Sequence, residues 1–101
     1  MVEYTFRLDA VFGSLADATR RDMLRRVFRQ ELSVNQIAEV YSISLAAVSK
    51  HLKILEDAQL IQKRKVGKQR LVRATPAGMK DAVEYLHYYE ALWGEQLDPK
   101  D

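Results

Sequence analysis

Ser33-Val34-Asn35-Gln36-Ile37-Ala38-Glu39-Val40-Tyr41-Ser42-Ile43-Ser44-Leu45-Ala46-Ala47-Val48-Ser49-Lys50-His51-Leu52-Lys53-Ile54-Leu55 is the stretch on which the fold of this 101-residue chain turns. Ser33 to Gln36 spells S-x-x-Q, a capping box: the serine oxygen takes a backbone N–H three residues on, and the glutamine reaches back. It opens a short third helix whose buried side is Ile37, Ala38 and Val40-Tyr41. Ser42-Ile43 leaves room only for an abrupt change of direction, and Ser44 caps a fourth helix running to about Ala58. Two helices joined by a turn of a few residues form a helix-turn-helix, and the small side chain of Ala38 lets them approach closely.

After Leu60 the period changes. Ile61 to Val66 and Gln69 to Ala74 are strand-length runs of basic and β-branched residues around Gly67-Lys68, which suits a type II′ hairpin turn. Thr75-Pro76 then reads as N-cap and first residue of a last helix that runs to about Leu97, with Pro99 beyond it. Upstream, Tyr4, Phe6, Leu8, Val11, Phe12 and Leu15 make a short apolar first helix ending near Gly13-Ser14. Asp17 caps a second helix, with Met23, Leu24, Val27 and Phe28 as its buried stripe and Arg20, Arg21, Asp22, Arg25, Arg26 and Arg29 outside. A helix-turn-helix followed by a two-stranded β-hairpin is a winged helix. The expected class is therefore mostly α (α+β), one winged-helix domain over residues 1–101.

Composition excludes much else. There is no cysteine, so disulfides, thiolate nucleophiles, iron–sulfur clusters and cysteine-based zinc sites are ruled out. Two histidines leave little for a catalytic or metal centre, and no paired carboxylates or phosphate-binding glycine loop points to an enzyme. No cofactor is expected. No apolar run approaches the roughly 18 residues of a membrane span, and no signal-peptide pattern is present, so a cytoplasmic location is expected.

The net charge of +2 hides a pattern. Residues 1–57 carry eight bases and eight acids; residues 58–80 carry seven bases and no acid; residues 81–101 carry one base and six acids. A hairpin protected by charge from edge pairing would be served by mixed signs. An acid-free one points to a polyanion, with Lys65, Lys68 and Arg70 near the tip best placed for phosphate. On the fourth helix Val48, Leu52 and Leu55, with Leu45 near, form the core face. Ala46, Lys50, Lys53 and Asp57 lie opposite, flanked by Ala47 and Ser49. A solvated surface accounts for the lysines but not for paired alanines beside Ser-Lys. Small side chains permit close approach in a major groove, alanine methyls meet thymine methyls, Lys50 reaches guanine or phosphate, and Ser44 and Ser49 donate to phosphates. His51, at the edge of the core face, is expected to bond backbone or phosphate.

In the last helix Met79, Ala82, Val83, Leu86, Tyr89, Trp93 and Leu97 form one apolar face, and Tyr85, Tyr88 and Leu92 a second. One face packs on the parent domain; a second subunit is the economical occupant of the other. An apolar ligand among Tyr85, Tyr88, Tyr89 and Trp93 is the alternative. Glu90 falls within the first face and should be paired or at a rim.

Leu15-Ala16-Asp17-Ala18-Thr19-Arg20-Arg21, Leu32 to Ala38, and Ser44 to Leu55 together resemble the ArsR/SmtB family of small winged-helix bacterial repressors over nearly the whole chain. The resemblance implies a homodimer built on the first and last helices, a fourth helix that reads double-stranded DNA, and a hairpin that acts as wing. Carried onto this chain, the dimer positions are Phe6, Leu8, Val11 and Phe12 with Tyr85, Tyr88, Tyr89, Leu92 and Trp93. The DNA positions are Gln36, Ser44, Ala46, Ala47, Ser49, Lys50, His51, Lys53, Lys65, Lys68 and Arg70. Ala18 replaces the family's usual Pro, which should loosen the start of the second helix; Ser42 and Gln59 stand where Gly is common, which predicts a strained or altered turn at each. The family's metal sites lack counterparts: Leu32 to Gln36 holds no cysteine, and His87-Glu90 has Ala74 and Pro76 where the other half-site would be. No metal sensing is expected, and His87-Glu90 reads as an i,i+3 pair. The expected function is a homodimeric repressor on a palindromic operator, its inducing small molecule undefined by the residues. A winged helix that binds a protein instead is the competing class; it predicts sequence-blind DNA binding and tolerance of Lys50→Ala.

Overall fold

In the computed structural model, which describes residues 2–97, the order is α1 (Val2–Leu15), α2 (Ala18–Arg29), β1 (Leu32–Ser33), α3 (Val34–Val40), α4 (Leu45–Asp57), β2 (Ile61–Val66), β3 (Gln69–Ala74) and α5 (Ala77–Trp93). A 3₁₀ turn, Gly94–Leu97, follows α5. Pro99 lies outside the described residues. The architecture is a winged helix-turn-helix with one addition. Leu32-Ser33 pairs antiparallel with β3, Leu32 opposite Val72, so the sheet has three strands in the order β1-β3-β2. Two residues are too short to register as a strand by alternation, and Ser33 already reads as a cap.

The local signals act as the residue chemistry dictates. Asp17 accepts the Arg20 N–H at 3.0 Å, and Ser33 and Gln36 complete both halves of the capping box. Gly67 has φ +61° and no described non-glycine residue but Gln59 shows positive φ, which fits the type II′ turn and not type I′. Gln59, where a glycine is common, sits at φ 59°; Ser42 shows no such strain.

The core gathers Val11, Met23, Val27, Ile37, Val48, Leu52, Leu55, Leu60, Ile61, Val72 and Ala82 from every helix and from the two wing strands. Gly78 closes it: a Cβ there would stand 2.1 Å from the Ala58 carbonyl oxygen, and its N–H donates to Gln59 O at 2.8 Å. That contact seats the start of α5 on the turn between α4 and β2.

Several expectations are corrected. α1 runs through Gly13-Ser14 to Leu15; Ser14 is buried with its hydroxyl donated to Val11 O, so it continues the turn rather than ending it. Phe28 is 79% exposed, because it lies about 140° around the helix from Met23. Leu45 is 54% exposed, in the first turn of α4 ahead of Val48, where the core begins. Val40 also faces out, while Tyr41 turns in. Thr75 does not cap α5: Pro76 occupies the N-cap with no side-chain bond, and the Thr75 N–H goes to Leu60 O. The inward stripe of α5 is Gly78, Ala82, Tyr85 and Tyr89, which draws Ala82 and Tyr89 from the first expected face and Tyr85 from the second. Val83, Leu86, Trp93 and Leu97 are left exposed. Leu8 and Val11, expected at a subunit interface, are buried in the chain's own core, since they share the inward side of α1 with Leu15.

Candidate nucleic-acid interface

α2 fixes the helix-turn-helix through polar side chains that the sequence reading left on a solvated face. Asp22 Oδ2 accepts the Tyr41 hydroxyl at 2.5 Å and Arg26 Nε at 2.8 Å, and Oδ1 takes Arg25. The Tyr41 bond, then the two guanidinium bonds, hold the Asp22 carboxyl far below the usual carboxylate range. Burial, and the loss of its bond to Asp22 on ionisation, push the Tyr41 phenol up to about 12. The turn between α3 and α4 is thus tied to α2 through an ionised carboxylate.

Arg20, also placed outside by the helix wheel, has a side chain only 15% exposed. Its Nε donates to Ser14 O at 2.8 Å, Nη2 to Gly13 O at 3.2 Å, and Nη1 lies 3.2 Å from His51 Nδ1. Arg21 Nη1 donates to Leu15 O at 2.7 Å. The two arginines cap the Ser14 and Leu15 carbonyls at the end of α1, and Gly13 O takes Ala16 N–H at 3.3 Å as well as Arg20. The Arg20 link was missed because its partners are non-local, although its place three residues after the Asp17 cap was visible.

On α4, Ala46, Ser49, Lys50 and Lys53 are exposed and Ala47 is half-buried. Ser44 Oγ accepts Ala47 N–H at 3.1 Å, which leaves its hydroxyl hydrogen to donate outward. Lys50 and Ser49 have no side-chain partner among the described residues. Lys53 bonds Asp57 at 2.9 Å, which raises its pKa. Both side chains are mostly in water, so the pair is readily exchanged for a phosphate. Gln36 is committed in part: its Oε1 takes Ser33 N–H at 2.8 Å, and only the amide N–H₂ remains for an outside acceptor.

The wing is less uniformly free than its sequence suggests. Arg64 makes a two-bond fork to Glu31 at 2.9 and 2.8 Å, and Lys63 pairs with Glu56 at 3.5 Å. Arg73 bonds the Gln62 amide oxygen at 3.1 Å. Acids from outside the hairpin therefore pair with Lys63 and Arg64 on β2. Lys65, Lys68 and Arg70 are exposed and have no acidic partner among the described residues. Lys65 stands directly opposite Arg70, two like charges across the strands with no acid between them.

At the other end, Phe12, Tyr85, Tyr88, Tyr89 and Trp93 form a ladder of ring contacts with centroids 5.2–5.9 Å apart. The Tyr85 and Tyr89 hydroxyls bond each other at 2.8 Å. The rings fill the space between them, and an open groove runs beside them past Leu86, His87, Glu90 and Leu97. His87 and Glu90 share that groove but make no bond, so the expected pair does not form; Glu90 is at a rim. Phe6, Tyr88, Leu92 and Trp93 remain exposed. Among the described residues no cluster of His, Asp or Glu could hold a metal ion.

A winged helix whose second helix-turn-helix helix offers alanine, serine and an unpaired lysine, beside a hairpin tipped with free cations, defines a DNA-binding protein. Comparison with known proteins agrees. The family model for bacterial regulatory proteins of the arsR family matches residues 17–63. The HTH-type transcriptional regulator Rv2034 of Mycobacterium tuberculosis is 37% identical over 71 residues, 70% of this chain and 66% of that protein. An ArsR-like transcriptional regulator from Rhodococcus sp. RHA1 has a solved structure of TM-score 0.76 at 30% identity, over 92% of this chain and 88% of that one. The transcriptional repressor SdpR of Bacillus subtilis is 27% identical over 79 residues, 78% of this chain and 88% of that protein. The chain belongs to the ArsR family, whose members are transcriptional regulators and not enzymes.

Proposed function

We propose that this regulator is a homodimeric repressor, its residues 1–101 forming one winged-helix unit that binds an imperfectly palindromic operator. The observation that carries the reading is the separation of free from paired charge. Lys50 on α4 and Lys65, Lys68 and Arg70 on the wing are the cations left open on the surface expected to meet DNA. Ser44, Ala46, Ala47, Ser49, Lys50 and Lys53 form the base-reading surface, Gln36 and His51 flank it, and the wing tip takes phosphates.

Dimerisation follows from apolar surface with nothing to cover it. Phe6, Leu86, Leu92 and Trp93 are each more than half exposed, at one end of a molecule 50 Å long. The radius of gyration is 15.7 Å, against about 13 Å for a compact chain of this length. A second copy packed on α1 and α5 through Phe6, Phe12, Tyr85, Tyr88, Tyr89, Leu92 and Trp93 would cover that end. Two α4 helices would then enter successive major grooves, about 34 Å apart. SdpR, named as a repressor, supports the sign of regulation. Among the described residues no helix is long and apolar enough to cross a membrane, consistent with the proposed action on cytoplasmic DNA.

Fluorescence anisotropy on the DNA upstream of the protein's own coding sequence tests the reading, with scrambled DNA as competitor across a salt series. Binding that resists the competitor and falls steeply with salt is expected. If duplexes selected from a random pool also fail to outcompete scrambled DNA, specific binding is refuted.

A further inference from the structure

Arg20 and His51 form a contact in which a cationic side chain of α2 meets a side chain on the exposed rim of α4. Arg20 Nη1 and His51 Nδ1 are 3.2 Å apart. A guanidinium has only N–H groups to offer and is not deprotonated in proteins, so His51 Nδ1 is the acceptor. An imidazole that accepts at Nδ1 is neutral and carries its proton on Nε2. Arg20 has no freedom to turn away. Its Nε and Nη2 are held by Ser14 O and Gly13 O, and Asp17 lies 3.9 Å from Nη1.

The opposite edge of the ring is open. His51 is half-buried, its Nε2 makes no bond, and no buried side-chain nitrogen or oxygen lacks a partner among the described residues. Nε2 therefore reaches solvent. On α4 it stands one turn from Ala47, on the flank of the face that carries Ser49 and Lys50.

We propose that Arg20 is a positioning residue for DNA binding: by holding His51 Nδ1 it locks the ring as the Nε2–H tautomer and aims that N–H at a phosphate oxygen of the DNA backbone. The proposal rests on the reading that this face of α4 meets DNA. Arg20 itself touches no DNA; it sets which atom of His51 is the donor and ties the recognition helix to the end of α1.

Nitrogen NMR of the free protein reads the tautomer without DNA. At alkaline pH His51 is expected as Nε2–H alone; Nδ1–H would overturn the proposal. Arg20→Lys keeps the charge and removes the fork. It should give a mixture of tautomers and weaken binding to a duplex selected by the wild-type protein about tenfold or more. Unchanged binding despite the mixed tautomer would overturn it. If Arg20→Lys does not fold, two His51 variants carry the test. His51→Gln places an amide donor near Nε2, and His51→Asn places its amide near Nδ1. Gln should bind the duplex more tightly than Asn; equal or reversed affinities refute the donor role. Lys50→Ala serves as control. If it too binds as wild type, the face of α4 has been misassigned, which is distinct from a failure at His51.

Discussion

Replacing wing cations one at a time distinguishes charges that are free from charges already paired. Each substitution removes two cations from a dimer, and each phosphate contact contributes about 0.9 to the slope of log affinity against log salt. Lys65→Gln, Lys68→Gln or Arg70→Gln should each lower that slope by about 2, and the triple variant by about 5. Arg64→Gln, in the same hairpin, should leave the slope nearly unchanged. Its guanidinium is held by two bonds to Glu31, and it keeps that carboxyl below its usual range. A phosphate could recruit Arg64 only by displacing a fork already made. Anisotropy titrations on one selected duplex between 50 and 200 mM salt measure the five variant slopes and that of the wild type. An Arg64→Gln slope as flat as that of Lys68→Gln, or a triple variant with the full slope, would refute the assignment. The register adds a second readout. Lys65 faces Arg70, so removing either cation relieves repulsion across the strands. Lys65→Gln should weaken DNA binding while the unfolding midpoint of the free protein holds or rises.

Gly78→Ala forces a Cβ to within 2.1 Å of the Ala58 carbonyl oxygen, where about 3.3 Å is the normal approach. The better helix propensity of Ala, about 1 kcal/mol, does not offset that; a net loss of about 2–4 kcal/mol is expected by urea unfolding at fixed protein concentration. Gln59→Gly removes a left-handed non-glycine residue at φ 59° and should raise stability by about 1 kcal/mol in the same assay. The Tyr41 phenol, raised from 10.0 to about 12, binds its proton more tightly folded than unfolded. Its contribution is therefore complete below pH 10 and lost as pH rises through about 12. Tyr41→Phe should flatten the alkaline limb of the stability curve, and at neutral pH it should cost about 1–2 kcal/mol because the Asp22 carboxylate loses the hydroxyl donor. Leu92→Glu should shift the protein toward monomer in sedimentation while preserving its helical circular dichroism.

The helix-turn-helix and the wing were legible because their signals are local. Caps at Asp17, Ser33 and Ser44, and a glycine at the first turn position of the hairpin, act over three or four residues. What was illegible depends on partners distant in sequence. Arg20 meets His51 from 31 residues away, Tyr41 meets Asp22 from 19, and Arg64 meets Glu31 from 33. A helix wheel assigns Arg20 and Asp22 to water, and neither a wheel nor strand alternation names the partner that Tyr41, His51 or Arg64 meets, because each knows only one element at a time. The same blindness left the orientation of α5 open. Its sequence is apolar on two faces, and nothing local says which one Gly78 brings against the core. Thr75 failed as a cap for a related reason: the chain there is still pairing with Leu60, so the backbone is not yet free to turn into a helix.

The distribution of charge gives the molecule an orientation before any base is read. Residues 58–80 hold seven cations and no acid in sequence, but Glu56 and Glu31 pair with Lys63 and Arg64 on β2. Within the wing and on α4, the cations without a partner are thereby those of the wing tip and Lys50. The last 21 residues carry one base and six acids. Of their acids, Asp81 is tied to Arg7, while Glu84, Glu90 and Glu95 stay exposed on or just beyond α5. A DNA duplex attracts the first surface and repels the second over distances of about a Debye length, roughly 8–10 Å. The end that is repelled is also the one that exposes Leu86, Leu92 and Trp93. Acidity there keeps that apolar surface turned away from the polyanion and open to another protein surface. High salt should then weaken DNA attachment without opening an α5 contact made by apolar rings and leucines, since screening acts on the charges and not on the burial.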